Sequence, residues 1–273
     1  MVETDFIINI ILTGIGAGIF AGMFGIGGGI VILPALMLFF RWTYPEATGT
    51  SLAALLLPTN FYALYNYKRN GMLYLRGAAF LSLGMLAGCY FGADSTLRIS
   101  ESIMKELFGV FQICMGIKYI KPLFAYKVLI AKIKGVPAPP EPYQELSEAE
   151  SIPFYYFIII GLLSGMSAGL FGIGGGVIIT TALISIFKIP TKNAVALSLS
   201  AMFLPTGIFG VMKFYNAGNV HITAAILIAV GIEVGSNFSS RLAVKMNADF
   251  FKRLFGIVLI ISGLYFIIRE FVL

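Results

Sequence analysis

Long apolar runs separated by short polar stretches dominate the chain, and they predict helices that cross a membrane. Runs of about 20 apolar residues are typical of a helix that spans the hydrocarbon core of a bilayer. The first run covers 6–40, which is 35 residues. One helix of that length would extend about 50 Å, against about 30 Å of hydrocarbon. This run must therefore tilt strongly, fold back on itself or cross twice.

A cluster of glycines interrupts this first run. Each of the three consecutive glycines Gly27, Gly28 and Gly29 lowers the helix propensity by about 1 kcal/mol relative to alanine. The pattern therefore predicts a helical arm over 6–23, a turn at the glycines and a second arm over 30–40. A re-entrant hairpin and a double crossing both fit this pattern.

Three further apolar runs follow, at 47–67, 73–93 and 107–124. Pro58 lies inside the first of them, and an interior proline removes a backbone hydrogen bond and kinks or interrupts the helix. The next segment, 121–153, begins with lysines, has a proline-rich centre and ends with glutamates. Such a composition predicts an extended, exposed linker.

The glycine cluster belongs to a repeat that covers most of the chain. The hexapeptide Phe-Gly-Ile-Gly-Gly-Gly occurs at 24–29 and again at 171–176, an offset of 147 residues. Around it, 12 of 19 aligned positions are identical between 18–36 and 165–183. A register held without a gap indicates two copies of one structural unit. We therefore predict a first membrane repeat over 1–120, a linker over 121–153 and a second membrane repeat over 154–273.

Composition supports a membrane protein. Apolar residues make up 58% of the chain, charged residues 12%, and the mean hydropathy is +0.91. Soluble domains carry about 25% charged residues, so this chain places most of its length in lipid. Its net charge of +6 is then a signal of membrane topology and does not indicate a nucleic-acid partner.

The distribution of lysine and arginine predicts that topology. If both ends of each broken run lie on the same side, the two sides collect 14 and 5 of these residues; if each broken run crosses once, they collect 10 and 9. Positive residues favour the cytoplasmic side, which favours the first arrangement. The prediction is an all-α polytopic protein of the cell membrane with two inverted-topology repeats, each a glycine-broken helical hairpin plus three spanning helices. Its linker is cytoplasmic, and both termini lie outside.

Inverted repeats with interrupted helices are typical of secondary transporters, whose binding site lies where the repeats meet. The doubled FGIGGG motif, followed in each half by apolar residues, resembles the sulfite exporter TauE/SafE family over essentially the whole chain apart from the linker. The resemblance implies transport, commonly export, of sulfur-containing anions such as sulfite and organosulfonates. One departure concerns the hairpins: Pro34 follows the first glycine cluster, whereas Thr181 takes its place in the second half.

The residues around the glycine clusters suit an anion. A helix that begins at a glycine turn presents free amide donors and the positive end of its dipole, and such termini bind anions. No lysine or arginine lies deep inside an apolar run, so the anion would depend on amides and hydroxyls. The alternative is that the glycines only allow the two arms to pack closely. The candidate substrate-binding residues are Gly25, Gly27, Gly28, Gly29, Ser51, Thr59, Asn60, Gly172, Gly174, Gly175, Gly176, Ser198, Thr206 and Asn237.

Glu233 is the acidic residue that lies well inside an apolar run. Intramembrane carboxylates are costly and indicate function by default, so Glu233 is the candidate for proton coupling, with a structural, hydrogen-bonded glutamate as the alternative. The sequence offers no nucleophile–base pair and no metal-ligand cluster, so we expect neither an enzyme nor a cofactor. The expected partners are a small anion, the lipid bilayer and a proton as coupling ion; a homo-oligomer stays open.

Three functions therefore remain: an anion carrier that works by alternating access with the anion at the two glycine breaks, a passive anion channel, and a membrane scaffold or receptor that transports nothing. The carrier is favoured. On that hypothesis, Gly28→Val and Gly175→Val should reach the membrane as folded protein and lose anion binding.

Overall fold

The computed structural model describes residues 2–24, 28–57, 64–65, 69, 73–120, 152–243 and 248–272. Within these ranges the chain forms α-helices and no strand, which confirms the all-α class. The eleven helices described are α1 Val2–Phe24, α2 Gly29–Phe39, α3 Tyr44–Leu56, α4 Leu75–Arg98, α5 Glu101–Ile120, α6 Phe154–Phe171, α7 Gly176–Ser185, α8 Thr191–Phe203, α9 Ile208–Asn216, α10 Ile222–Ala243 and α11 Ala248–Val272.

Both apolar runs that contain the glycine clusters break where the sequence predicts. In the first half α1 ends at Phe24 and α2 begins at Gly29, and in the second half α6 ends at Phe171 and α7 begins at Gly176. Four further residues then separate α8 from α9, whose axes differ by 48°. Pro205 lies in that break; its counterpart Pro58 lies outside the described residues.

Several helices are long and apolar enough to cross a membrane. Among the described residues these are Leu75–Arg98, Phe154–Phe171 and Ile222–Ser239, and the bent pair Asn193–Phe203 and Ile208–Asn216 would make a fourth. The chain is therefore a multi-pass membrane protein. The shorter apolar helices include Asp5–Ala21 and Gly29–Phe39 of the first broken run and Gly176–Ser185 of the second.

The chain forms two compact units, and neither coincides with one sequence repeat. The first comprises Met1–Met104 and Gln144–Lys245; the second comprises Lys105–Tyr143 and Met246–Leu273. Each unit thus combines segments of both halves. Of the predicted linker, residues 121–151 lie outside the described residues.

Glycine faces hold the first unit together through two helix pairs, α4 with α6 and α1 with α10. A Cβ atom built on Gly84 would meet the carbonyl oxygen of Ile158, and one built on Gly92 would meet that of Met166. Both residue numbers rise together, so α4 and α6 run parallel. Small residues let helix backbones approach this closely in membranes, and the helices could not keep this spacing with a larger side chain here.

The second unit contains α5 and α11, which run antiparallel. A Cβ atom on Gly109 would lie 2.8 Å from the carbonyl oxygen of Gly263, and one on Gly116 would lie 2.6 Å from that of Gly256. The residue numbers rise on one helix and fall on the other. Because Gly109 and Gly256 occupy equivalent positions of the two repeats, α5 and α11 are equivalent helices packed in opposite directions.

Candidate functional site

The turn between α6 and α7 has a backbone conformation that favours glycine. Gly172, Gly174 and Gly175 have φ angles of 64°, 71° and 78°, in the left-handed region that L side chains rarely adopt. The whole turn is buried. The hydroxyl of Ser164 donates a hydrogen bond to the carbonyl oxygen of Gly175 over 2.7 Å. A side chain of α6 therefore helps to fix the turn that follows it.

α7 begins directly at this turn. The amide of Ile178 donates to the carbonyl oxygen of Gly175 over 3.0 Å, which closes the first turn of the helix. Gly176 and Val177 precede Ile178 in that turn. Amides in the first turn of a helix have no acceptor within the helix and lie at the positive end of its dipole. The turn therefore offers donors to an acceptor that reaches it.

The described part of the first turn has the same geometry. Gly28 precedes α2 with a φ angle of 77°, and its carbonyl oxygen accepts from the amide of Val31 over 3.0 Å. Two of the predicted site residues, Gly25 and Gly27, lie outside the described residues.

The two glycine clusters meet in the first compact unit. A Cβ atom built on Gly29 would meet the carbonyl oxygen of Gly172 and would lie 2.6 Å from the Cα atom of Ile173. The first residue of α2 thus contacts the turn between α6 and α7. The two glycine clusters, which are 147 residues apart in sequence, thus form one buried backbone junction.

Two equivalent serines flank this junction. The hydroxyl of Ser51 on α3 donates to the carbonyl oxygen of Gly172 over 2.8 Å, and that of Ser198 on α8 donates to the carbonyl oxygen of Gly176 over 3.4 Å. Both serines are 0% exposed. The structure therefore brings Ser51 and Ser198 to the glycine turns, where each hydroxyl donates its hydrogen bond to a backbone carbonyl oxygen.

The remaining predicted residues are more widely placed. Thr206 is buried in the break between α8 and α9, whereas Thr59 and Asn60 lie outside the described residues. Glu233 and Asn237 are half-buried on α10, which packs on α1. Neither takes part in the junction contacts given above.

A small cavity lies beside the second glycine turn. Its volume of about 20 Å³ is enough for one water molecule. Cys89 of α4 borders it, and the Cys89 thiol lies 3.8 Å from the carbonyl oxygen of Gly207. The wall is mostly apolar: Leu52, Leu55, Leu56, Met85, Cys89, Ala168, Gly174, Met202, Leu204, Thr206 and Gly207.

Most of the residues that line this cavity were not predicted from the sequence. Leucines and methionines in apolar runs look the same whether they face lipid, a neighbouring helix or a cavity, so only the fold distinguishes them. A partial signal did exist for Gly207, because it follows Pro205 and Thr206, which the repeat pairs with Pro58 and Thr59.

A polar cluster joins the loop before α3 to the start of α10. The Glu46 carboxylate accepts from the amide and the hydroxyl of Thr43, each over 2.8 Å, and lies 3.7 Å from the His221 imidazole. Trp42 stacks on His221 with ring centroids 4.2 Å apart. Burial acts to raise the pKa of Glu46, but the hydrogen bonds from Thr43 and the charge of His221 outweigh it and lower that pKa. This cluster was not predicted in the sequence analysis.

The geometry argues against one sequence expectation about the glycines. A Cβ atom on Gly175 would meet the Ser164 hydroxyl and would lie 2.7 Å from the Ser164 carbonyl oxygen. On Gly28 the nearest atom would be the carbonyl oxygen of Ala17 at 3.1 Å. Both positions also have positive φ angles. Valine at either site would therefore strain the local fold as well as obstruct an anion.

Comparison with known proteins assigns the family. The chain is 27% identical to a "probable membrane transporter protein" of Methanocaldococcus jannaschii, over 95% of this chain and 94% of the relative. It is 29% identical to "probable membrane transporter protein YunE" of Bacillus subtilis, over 95% and 96%, and 28% identical to one of Xylella fastidiosa, over 93% and 92%. No solved structure matches the chain. The profile of the sulfite exporter TauE/SafE family matches residues 10–266, and the chain belongs to that family.

Proposed function

We propose that this membrane transporter is a secondary carrier that exports small sulfur-containing anions such as sulfite or organosulfonates. The observation that carries the proposal is the buried junction of the two glycine turns, in which Gly29 contacts Gly172. The family description, sulfite exporter, supplies the substrate class. The anion would be held by amides of the two clusters and by nearby hydroxyls and amides of the candidate residues given in the sequence analysis.

Amide donors suit such a substrate. The negative charge of sulfite or a sulfonate is spread over several oxygens, and each oxygen can accept from a backbone amide or a hydroxyl. A site of this kind carries no permanent charge, so it avoids the free-energy cost of a buried, unpaired ion when it is empty. Ser51 and Ser198, now bonded to carbonyls of Gly172 and Gly176, would turn to the anion as it arrives.

Inverted repeats would allow alternating access. The antiparallel packing of the equivalent helices α5 and α11 supports a relation between the repeats that reverses direction. The parallel pairs α1 with α10 and α4 with α6 are equivalent in the repeat, and they agree with such a relation. The lysine and arginine distribution, 14 against 5, supports a cytoplasmic linker and outer termini. The cavity of about 20 Å³ is too small for the anion, so it would have to widen during transport.

Transport measurements on purified protein in liposomes test the substrate and the mechanism. We expect saturable uptake of sulfite or a sulfonate, with counterflow when unlabelled anion is placed on the opposite side. Saturable counterflow distinguishes a carrier from a passive channel. If no anion of a panel of sulfite, sulfate, alkanesulfonates and carboxylates is transported or bound, the proposal is wrong and the scaffold or receptor hypothesis gains.

Cysteine labelling tests the topology. Single cysteines at Asn70, Ser147 and Thr191, in a variant without Cys89 and Cys114, should react with an impermeant maleimide only from the cytoplasmic side. Labelling of positions 70 and 191 from opposite sides would rule out the inverted arrangement.

Glu233 is the proposed proton-coupling residue. It is half-buried on α10, and its repeat counterpart is Leu86, so only one half could supply this function. Glu233→Gln should fold and bind anion yet lose the dependence of transport on the proton gradient. The same dependence in Glu233→Gln and wild type would leave Glu233 with a structural role.

A further inference from the structure

An ion pair joins the two sequence repeats at the end of α4. The ammonium of Lys213 on α9 lies 2.6 Å from Oδ1 of Asp94 on α4 and 4.6 Å from the ring centroid of Tyr90. The guanidinium of Arg98 lies 2.7 Å from Oδ2 of the same Asp94. Two cations therefore share one carboxylate, which leaves a local excess of positive charge.

This pair lies next to the cavity along the same two helices. α4 contributes Met85 and Cys89 to the cavity wall, and Gly207 precedes α9 in the wall. A Cβ atom on Gly210 would lie 2.5 Å from the Cys89 sulfur, so α4 and α9 are in close contact there. Lys213 is one further turn along α9, about 5 Å along the helix axis.

The helix that carries Lys213 is attached through a break. α9 meets α8 at an angle of 48°, and Leu204, Thr206 and Gly207 of the break line the cavity. A change of this angle that moves α9 away from α4 would enlarge the cavity. The side chains of Lys213 and Asp94 are 31% and 26% exposed, so the protein does not enclose them fully.

We propose that Lys213 binds the transported anion at the α4–α9 end of the pathway, and that Asp94 occupies this ammonium when no anion is present. This inference rests on the proposed anion transport. A carboxylate oxygen and an oxygen of sulfite or a sulfonate are interchangeable acceptors for an ammonium. The exchange therefore never leaves the cation unpaired as α9 moves, and it couples the arrival of the anion to the opening of the cavity.

The sequence does not repeat this ion pair. The positions equivalent to Lys213 and Asp94 in the repeat are Asn66 and Arg241. The cation and the acid are therefore not repeated, which gives the two ends of the pathway different affinities for an anion.

Neutralising each partner in turn tests the proposal, with the half-saturating concentration of sulfite or methanesulfonate as the measured quantity. Asp94→Asn removes the competitor, and this concentration should fall about threefold. Lys213→Gln removes the cation, and it should rise about tenfold or more. The opposite directions are diagnostic, because both substitutions break the same ion pair.

Two variants serve as controls. Arg98→Gln removes the other cation on Asp94; because the Arg98 side chain is 77% exposed, its effect should stay within about twofold. Lys213→Arg keeps the charge and should retain binding. Folding of every variant is checked by size-exclusion chromatography.

Shifts of Asp94→Asn and Lys213→Gln in the same direction would overturn the proposal and leave a structural ion pair. If Lys213→Gln does not fold, Asp94→Asn decides alone: a lower half-saturating concentration supports the proposal, and an unchanged or higher one overturns it. A wild-type protein that transports no anion would instead remove the proposed function, and this inference with it.

Discussion

The two halves of the molecule use the same backbone contacts but different polar side chains. Where α6 packs on α4, Gly161 approaches the carbonyl oxygen of Leu81, and where α1 packs on α10, Gly14 approaches that of Ile228. These two contacts occupy equivalent positions of the repeat. Three further pairs of contacts are equivalent in the same way: Gly165 on Met85 with Gly18 on Ile232; Gly84 on Ile158 with Gly231 on Ile11; and Gly88 on Leu162 with Gly235 on Ile15. The close helix packing is therefore repeated contact by contact.

The polar side chains, in contrast, are not all repeated at equivalent positions. Asp94 has Arg241 as its counterpart and Glu233 has Leu86. At the glycine junction, the hydrogen bond from Ser51 is 2.8 Å long and the one from the equivalent Ser198 is 3.4 Å. A backbone contact fails whenever the glycine changes, whereas a polar contact can be modified at one end without loss of the fold. The fold is thus symmetric where packing demands it, and functional differences concentrate in side chains.

The strongest test of the shared packing is to add a side chain to one glycine in each half. Gly88→Val and Gly235→Val each force a side chain into a carbonyl oxygen of the neighbouring helix, of Leu162 and Ile15 respectively. We expect each to destabilise the protein by more than about 3 kcal/mol and to give little monodisperse protein in detergent.

A matched control exists in α1. A Cβ atom on Gly16 would meet nothing within 4 Å, so Gly16→Ala should be tolerated and should raise the melting temperature through helix propensity. Normal yield of only one of the two valine variants would show that the equivalent contacts differ in importance.

The glycine turns should show a difference between the halves. Gly175 and Gly28 have φ angles of 78° and 77°, but a Cβ atom on Gly175 also lies 2.7 Å from the Ser164 carbonyl oxygen. Left-handed strain alone costs about 1–3 kcal/mol. We therefore expect Gly175→Ala to lower the melting temperature more than Gly28→Ala does.

Gly218→Ala separates strain from crowding. Gly218 has a φ angle of 76°, and an added Cβ atom would meet nothing within 4 Å. The loss of stability in Gly218→Ala therefore measures the backbone strain without any crowding. Equal losses for positions 175, 28 and 218 would show that crowding by Ser164 contributes nothing.

How much of this could be predicted from the sequence depends on how local the signal is. The breaks at the glycine clusters were predicted within one or two residues, because consecutive glycines act on the backbone next to them. The repeat predicted that both halves share one architecture. The compact units, which mix the two halves, could not be predicted, since composition does not say which helix a glycine face will meet.

The candidate site was predictable only in part. Ser51 and Ser198 were identified because the repeat pairs them, and the structure places both at the glycine turns. The pairing of Asp94 with Lys213 joins residues 119 positions apart that are not equivalent in the repeat. Nothing in the sequence indicated this ion pair, and nothing in it indicated which apolar residues form the cavity wall.

A smaller difference is expected between the two junction serines. Ser51→Ala removes a hydrogen bond of 2.8 Å to a buried carbonyl oxygen and should lower the free energy of unfolding by about 1 kcal/mol. Ser198→Ala removes a longer one, of 3.4 Å, and should cost less. Thermal unfolding in detergent measures both. A larger loss for Ser198→Ala would reverse the assignment of which serine supports the junction.

The smallest expected effect concerns how the equivalent helices α3 and α8 begin. α3 starts with a capping box in which Thr43 and Glu46 satisfy each other's amides, whereas α8 starts after Pro190 with no side-chain cap. Thr43→Ala should therefore destabilise the protein, by about 0.5 kcal/mol because the cap is exposed. The pKa of Glu46 is lower in the folded protein than in the unfolded chain, so its stabilising contribution is present above about pH 4.5 and is lost as the pH falls through the lowered pKa. Melting temperatures between pH 7 and pH 3 should fall more steeply for wild type than for Glu46→Gln. Parallel curves for the two proteins would show that the carboxylate of Glu46 contributes nothing to the start of α3.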